Sequence, residues 1–386
     1  MARIVKRLFG LAVAGIRQTP WPVRMMALGM VATITFGVVL SANAPERVPP
    51  FLVLASNSYE ESELMADESM MAIELDYQAG ETLSDEPGSG SVYRLSLEGS
   101  PEVVLEQLGK TFGILGTAQE SAYFDPRWPG YVLGPEDWSG PSLMLNWQGT
   151  GSWYYSNPAA YQDPVCDQVA SEDGEEGFTY ECENSAAGGE LPSAEEAKKS
   201  AAETFSATGF TVSPEDIHVL VNDEWGVGVS ATVEVEGIPT AMEWSMFWAP
   251  GPVLASVAGH AAIPVKEGTF DTISPRDAVP RLASGMWWGA VAASYYAEDE
   301  LSHEEDFSDE FPLGEEGQFQ PGEVIEVVVG DFEQTLVMMW DVNGAAWIVP
   351  GYILRFGEAV WDSAAVTSLE DRVVEIETVT LEEGME

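Results

Sequence analysis

Ser193-Ala-Glu-Glu-Ala-Lys-Lys-Ser-Ala-Ala-Glu-Thr-Phe205, closed by Gly209-Phe210, reads as one capped helix. Ser193 is an N-cap residue, and Glu196 three positions on completes a capping box in which two orphan backbone donors are satisfied reciprocally. Four strands follow at short intervals: Ile217 to Asn222, Gly226 to Glu236, Thr240 to Trp248 and Pro252 to His260. Turns are expected at Asp223-Glu224, Glu236-Gly237 and Pro250-Gly251. A helix laid on an antiparallel sheet is the layer architecture this order specifies.

The same order of elements recurs on both sides. Upstream, Val92 to Leu97 alternates like a strand, and Pro101 to Phe112 places Val104, Leu105, Leu108 and Phe112 on one helical face. Ser100 is its N-cap and Gly113 its stop. Tyr131 to Gly134, Ser142 to Trp147 and Ser152 to Tyr155 then form a meander. Downstream, Ser274-Pro275 opens a helix through Ala278, Leu282 and Trp288, with Pro275 at the favoured first helical position. An acidic insertion, Glu298 to Glu316, separates it from strands at Gly322 to Gly330, Gln334 to Asp341 and Ala345 to Arg355, where Asn343-Gly344 is a hairpin signal. Arg372 to Leu381 alternates Val, Ile and Leu with Glu and Thr and is expected as an edge strand.

The 386 residues hold 64 Asp and Glu against 16 Lys and Arg, a formal net charge of −48. All the acid lies after one apolar segment, Met25 to Ala42, which is 18 residues long and uncharged. Arg3, Lys6, Arg7, Arg17 and Arg24 precede that segment, so the positive-inside bias keeps the head in the cytoplasm and exports the rest. Eighteen residues of helix, about 27 Å, just span a bilayer core. Ala42-Asn43-Ala44 also fits a signal-peptidase site, but Pro45 directly after it lacks a backbone N–H and favours a retained anchor over a cleaved leader. An acidic exterior repels nucleic acid and anionic lipid, which excludes both as its partners. The apolar content of 45% is that of a packed chain and not of a disordered acidic tail.

The segment Ala194 to His260, with Ile273-Ser-Pro-Arg-Asp-Ala-Val-Pro-Arg-Leu282 after it, resembles the PepSY-like modules of membrane-anchored bacterial exterior proteins. Trp340-Asp-Val-Asn-Gly-Ala-Ala-Trp-Ile-Val-Pro-Gly-Tyr352 is similar to the closing hairpin of actinobacterial anchored proteins of that build. The resemblance implies regulation of exported proteases or signalling partners, and it brings no catalytic residues. One departure is plain: an anchored anti-sigma regulator needs a folded cytoplasmic domain, and 24 residues cannot supply one.

The expected organisation is therefore α+β, a single N-terminal transmembrane helix followed by tandem helix-on-antiparallel-sheet modules. Its parts are a basic cytoplasmic head (1–24), the anchor (25–42), a linker (43–91), a first module with a disulfide loop (92–190), a second, PepSY-like module (191–272) and a third with the acidic insertion (273–386). The disulfide joins Cys166 and Cys182, the two cysteines of the chain, both in the exported part. It closes a loop holding Asp167, Glu172, Asp173, Glu175, Glu176 and Glu181 and is worth about 3 kcal/mol by loop-closure entropy.

Catalytic motifs fail in turn. GxSxG, SxxK and HExxH do not occur, and Gly109-Lys110-Thr111 lacks the first Gly of a phosphate loop because Val104 stands there. His218 and His260 fall in strands. His303 sits among eight carboxylates between Glu298 and Glu310, so Asp299, His303, Glu304 and Asp306 are the candidate cation ligands, without the Gly that a calcium-loop turn needs. A solvated acidic loop is the simpler reading. Trp128, Tyr131, Trp138, Trp147, Trp153, Tyr154 and Tyr155 concentrate in a short stretch, as in a carbohydrate platform or a packed sheet. No cofactor is expected. The function read from this pattern is non-enzymatic: a sensor, regulator or scaffold held at the membrane by its anchor and binding an exported or membrane protein. Binding of envelope carbohydrate or of a cation is the alternative.

Overall fold

The computed structural model describes residues 51–55, 74–125, 128–137, 139–160, 165–170, 178–183, 190–223, 226–250, 253–295, 324–356 and 362–377. In chain order come β1 (Leu52–Ala55), β2 (Glu74–Ala79), β3 (Gly88–Ser96), helix α1 (Pro101–Phe112), β4 (Gln119–Glu120), β5 (Gly130–Leu133), β6 (Ser142–Asn146) and β7 (Ser152–Ser156). Next are β8 (Val165–Ala170), β9 (Phe178–Glu183), α2 (Ala194–Thr208), β10 (His218–Asp223), β11 (Gly226–Val235), β12 (Ile238–Ala249), β13 (Val253–His260) and β14 (Ile263–Thr272). Two one-turn helices follow, α3 (Pro275–Ala278) and α4 (Arg281–Ser284). The chain then runs through β15 (Val324–Trp340), β16 (Ala346–Phe356), β17 (Ser363–Thr367) and β18 (Val374–Glu377).

Eight strands form one antiparallel sheet in the order β10-β11-β12-β13-β7-β6-β5-β4. Helices α1 and α2 lie on its inner face. Their apolar stripes, Leu105 and Leu108 on α1 and Ala197, Ala201 and Phe205 on α2, pack on Leu143, Leu145, Trp153, Val227, Val229, Trp244 and Val257. Both helices start and stop on local signals. Ser100 accepts from the Val103 N–H, Ser193 and Glu196 form the reciprocal box, and Gly113 and Gly209 end the helices in left-handed backbone.

A second sheet runs β14-β3-β16-β15-β2, with β17 also on β16. β2 joins β15 in parallel, and the short pair β1 and β18 is parallel too. Met242 and Val235 from the first sheet meet Tyr93, Leu95, Leu336, Met338 and Ile348 of the second in one core cluster.

The tandem of helix-on-sheet modules is corrected by this topology. The body is mostly β, and residues 50–386 form one compact unit. Strand β7 of the expected first module pairs with β13 of the second, with Val257 opposite Tyr155 and Gly259 opposite Trp153. β14 of the second pairs with β3 of the first, and β16 of the third pairs with β3 as well. The physical reason is edge closure: separate small sheets would each leave unpaired rows of N–H and C=O groups, and joining β7 to β13 removes two such edges. Gly259 permits the join, because a Cβ there would fall 2.7 Å from both Trp153 and Trp244, whose rings meet edge to face at 5.3 Å.

Three local expectations are corrected as well. The helix expected from Ser274 through Trp288 is two single turns, because Pro280 lacks the N–H a continuous helix needs there and Gly285 turns left-handed. The strands expected at Gly322–Gly330 and Gln334–Asp341 are one strand with a register shift between Val329 and Asp331. The stretch expected as linker, 43–91, with one short strand or helix turn at Met70–Tyr77, contains β1 and the start of β3 as well as β2, which overlaps that expected element. Among the described residues no helix is long and apolar enough to cross a membrane. The expected anchor, 25–42, lies outside the described residues.

Candidate functional site

Strand β10 ends the eight-stranded sheet, and among the described residues nothing pairs with its outer edge. Its placement follows from the residues just before it. Pro214 opens a single 3-10 turn closed by the Asp216 N–H on the Ser213 carbonyl, and Ile217 is then buried beneath the sheet. Val219 packs on the inner core opposite Val229. At Leu220 the register with β11 shifts, so Val221 stands opposite Gly228. This bulge leaves Leu220 59% and Val221 37% exposed on adjacent positions of a free edge.

The other three ends of the two large sheets carry guards, although β14 also exposes Ile263 and Val265. β14 carries Pro264, a register shift at Glu267, and the ion pairs Lys266–Glu236 at 2.9 Å and Arg94–Glu267 at 3.0 Å. β4 is two residues long. β2 turns Asp76 and Gln78 to solvent and keeps Leu75 and Tyr77 half-buried. Charge, proline, bulges and shortness are the usual guards on an edge. β10 has the bulge, but neither Lys, Arg nor Pro.

A signal for this edge is present in the sequence. Val219-Leu220-Val221 puts three apolar residues in a row inside a strand whose neighbours alternate, and a half-buried strand cannot hide all three on one face. That the strand lies at an end of the sheet leaves no such mark, since its single partner is set by tertiary pairing.

The residues singled out by chemistry are dispersed. Asp299, His303, Glu304 and Asp306 lie outside the described residues, and among those described no group of three His, Cys, Asp or Glu converges on a metal position. The aromatic strip is divided between two faces: Trp153 and Tyr155 are core residues, Tyr155 stacking on Phe112 at 4.4 Å, while Tyr154 and Trp128 are exposed. Tyr131 and Trp147 pack against the core from its margin, and Trp138 lies outside the described residues. The backbone register sets Cys166 directly opposite Cys182 in the β8–β9 ladder. Cα atoms so paired are about 4.5–5.5 Å apart in antiparallel sheets, within the range a disulfide spans.

His218 begins β10 and is exposed. His260 instead ends β13 largely buried, with Nδ1 2.9 Å from the Thr150 hydroxyl and Nε2 3.1 Å from the Glu243 carbonyl oxygen. The carbonyl only accepts, so Nε2 carries the proton and Nδ1 accepts from Thr150. Burial pushes the ring below the usual histidine range, against an opposing upward pull from the Glu243 carbonyl. Below pH 6.5 the unfolded chain takes up a proton that the folded state resists, so this group lowers stability as pH falls through that value. The urea midpoint of the native protein is expected to drop between pH 7.5 and 5.5 by more than that of His260→Gln. Equal drops would show that the ring is not a source of the acid sensitivity.

An open groove of about 640 Å³ runs beside the start of β10, lined by Lys199, Ala202, Glu203, Ser206, Ala207 and Pro214. Its walls are short side chains with one cation and one carboxylate, which suits an adjoining surface better than an enclosed small-molecule site. No protein-family model matches the chain, so the PepSY-like resemblance of Ala194 to Leu282 carries no family assignment. No curated protein matches it either.

Proposed function

We propose that this chain is a single-pass, membrane-anchored extracytoplasmic protein that acts without catalysis, as a sensor, regulator or scaffold, by binding an exported or membrane protein. The observation that supports the reading is the β10 edge: apolar, exposed and guarded by a bulge alone, where the other ends of the two large sheets carry ion pairs, proline, polar side chains or are only two residues long. Exposed apolar surface on a free edge is costly in solubility and invites pairing, so its retention favours a binding role. The acidic charge adds selectivity, since it repels anionic surfaces and favours a basic protein face.

The test is photocrosslinking from the full-length protein in native membranes, with a photoreactive residue placed singly at Gln78, Glu120, Leu220 or Ile263, one at each end of the two large sheets. A discrete adduct with the same protein in repeated preparations is expected. Absence of a discrete adduct from all four edges would overturn the reading.

A further inference from the structure

The chain contains no Lys or Arg from Ser200 to Val265, the stretch that supplies β10, β11, β12 and β13. Carboxylates bracket the exposed edge. Glu215 and Asp216 stand exposed in the turn before β10, and Asp223 ends the strand, where one of its oxygens accepts from the Gly226 N–H. Lys199 is the one cation among the residues that line the groove with Pro214. The edge is thus an apolar centre, Val219 to Val221, between two acidic ends, in the half of the sheet whose strands hold no cation of their own.

Resting on the protein-binding reading above, we propose that β10 takes its partner by strand addition, and that the added segment is extended, apolar at alternate positions and basic at both ends. Main-chain hydrogen bonds to the free edge supply the affinity in such a mode, and the side chains supply the choice. Six residues of strand span about 20 Å, so Lys or Arg at the two ends of an added six- or seven-residue segment reach Glu215 and Asp216 on one side and Asp223 on the other. A second copy of this chain fits poorly. Antiparallel pairing of β10 with itself brings Glu215 and Asp216 of one copy toward the Asp223 end of the other, and parallel pairing sets like carboxylates side by side.

The proposal is tested on the full-length protein in nanodiscs by hydrogen exchange with two end-blocked peptides, Lys-Thr-Val-Thr-Val-Thr-Lys and its Glu-ended counterpart. The Lys-ended peptide is expected to slow amide exchange across residues 219–222 by about tenfold and to lose that effect at high salt. The Glu-ended peptide is expected to leave exchange unchanged. Leu220→Lys, a change at an exposed position, is expected to abolish the protection while the melting temperature stays where it was. Protection by neither peptide, or by both equally, overturns the proposal, as does pairing of β10 with a second copy. If photocrosslinking then captures a partner from Gln78, Glu120 or Ile263 alone, protein binding stands and strand addition at β10 falls; if it captures nothing from any edge, the broader reading falls with it.

Discussion

Replacing Arg281 by Met is expected to destabilise the body by about 3–5 kcal/mol, while replacing its ion-pair partner Asp371 by Asn costs under about 1 kcal/mol. The asymmetry follows from where each group sits. The Arg281 side chain is 7% exposed and donates to the Thr367 carbonyl at 2.6 Å and the Leu369 carbonyl at 2.7 Å, with its guanidinium 3.9 Å over the Trp287 ring. Asp371, at 2.6 Å from the same guanidinium, is 81% exposed and returns to water when unpaired. Burial pushes the guanidinium downward from its usual range and Asp371 pushes it back, which leaves it charged. Truncation to Met strands two buried carbonyls at about 1–3 kcal/mol each, and that is the larger part of the loss. Urea unfolding of the two variants separates the effects; an Asp371→Asn loss equal to that of Arg281→Met would show that the ion pair, and not the carbonyl contacts, carries the stability.

Local signals in the sequence mark the ends of the two long helices and the tight hairpins. Ser193 with Glu196, Ser100 with Pro101, and the glycines at 113 and 209 mark helix ends because capping depends only on residues within a turn. Glu236-Gly237 makes its hairpin by adopting left-handed backbone at both positions, and Asn343-Gly344 makes one with Gly344 alone at positive φ. Pairing across distance left no comparable mark. Nothing in Ser152-Trp-Tyr-Tyr-Ser156 says that its second neighbour will be β13, and the swap of β14 onto β3 depends on which edges remain open once the first sheet has formed. Composition misled at residues 43–91, where Glu, Ser, Met and Gly are frequent around two short strands, β1 with Leu52 and Leu54 buried and β2 half-buried. The candidate edge was half legible: the run Val219 to Val221 shows an apolar excess, but its exposure depends on β10 being terminal.

A protein that begins at Val92, the start of the first module in the sequence reading, is expected not to fold cooperatively, whereas one that begins at Pro50 is expected to fold. Strand β1 is short, yet Leu52 and Leu54 are buried in a core with Trp347, Leu369, Val373 and Val374, and Phe51 packs on Phe270 at 4.4 Å. β2 covers the outer side of Val324–Val329, and Leu83 enters the core with Leu282 and Val329. Full burial of Leu52, Leu54 and Leu83 contributes about 5–9 kcal/mol, which rivals the whole stability of a typical domain. Leu54→Ala alone is expected to cost about 2–5 kcal/mol through lost burial and the cavity left behind. Thermal melts and limited proteolysis of 50–386 and 92–386 decide it: a cooperative melt of the shorter chain within a few degrees of the longer would show that β1 and β2 are dispensable. If they are not, the cooperative unit begins at Leu52 and not at Val92.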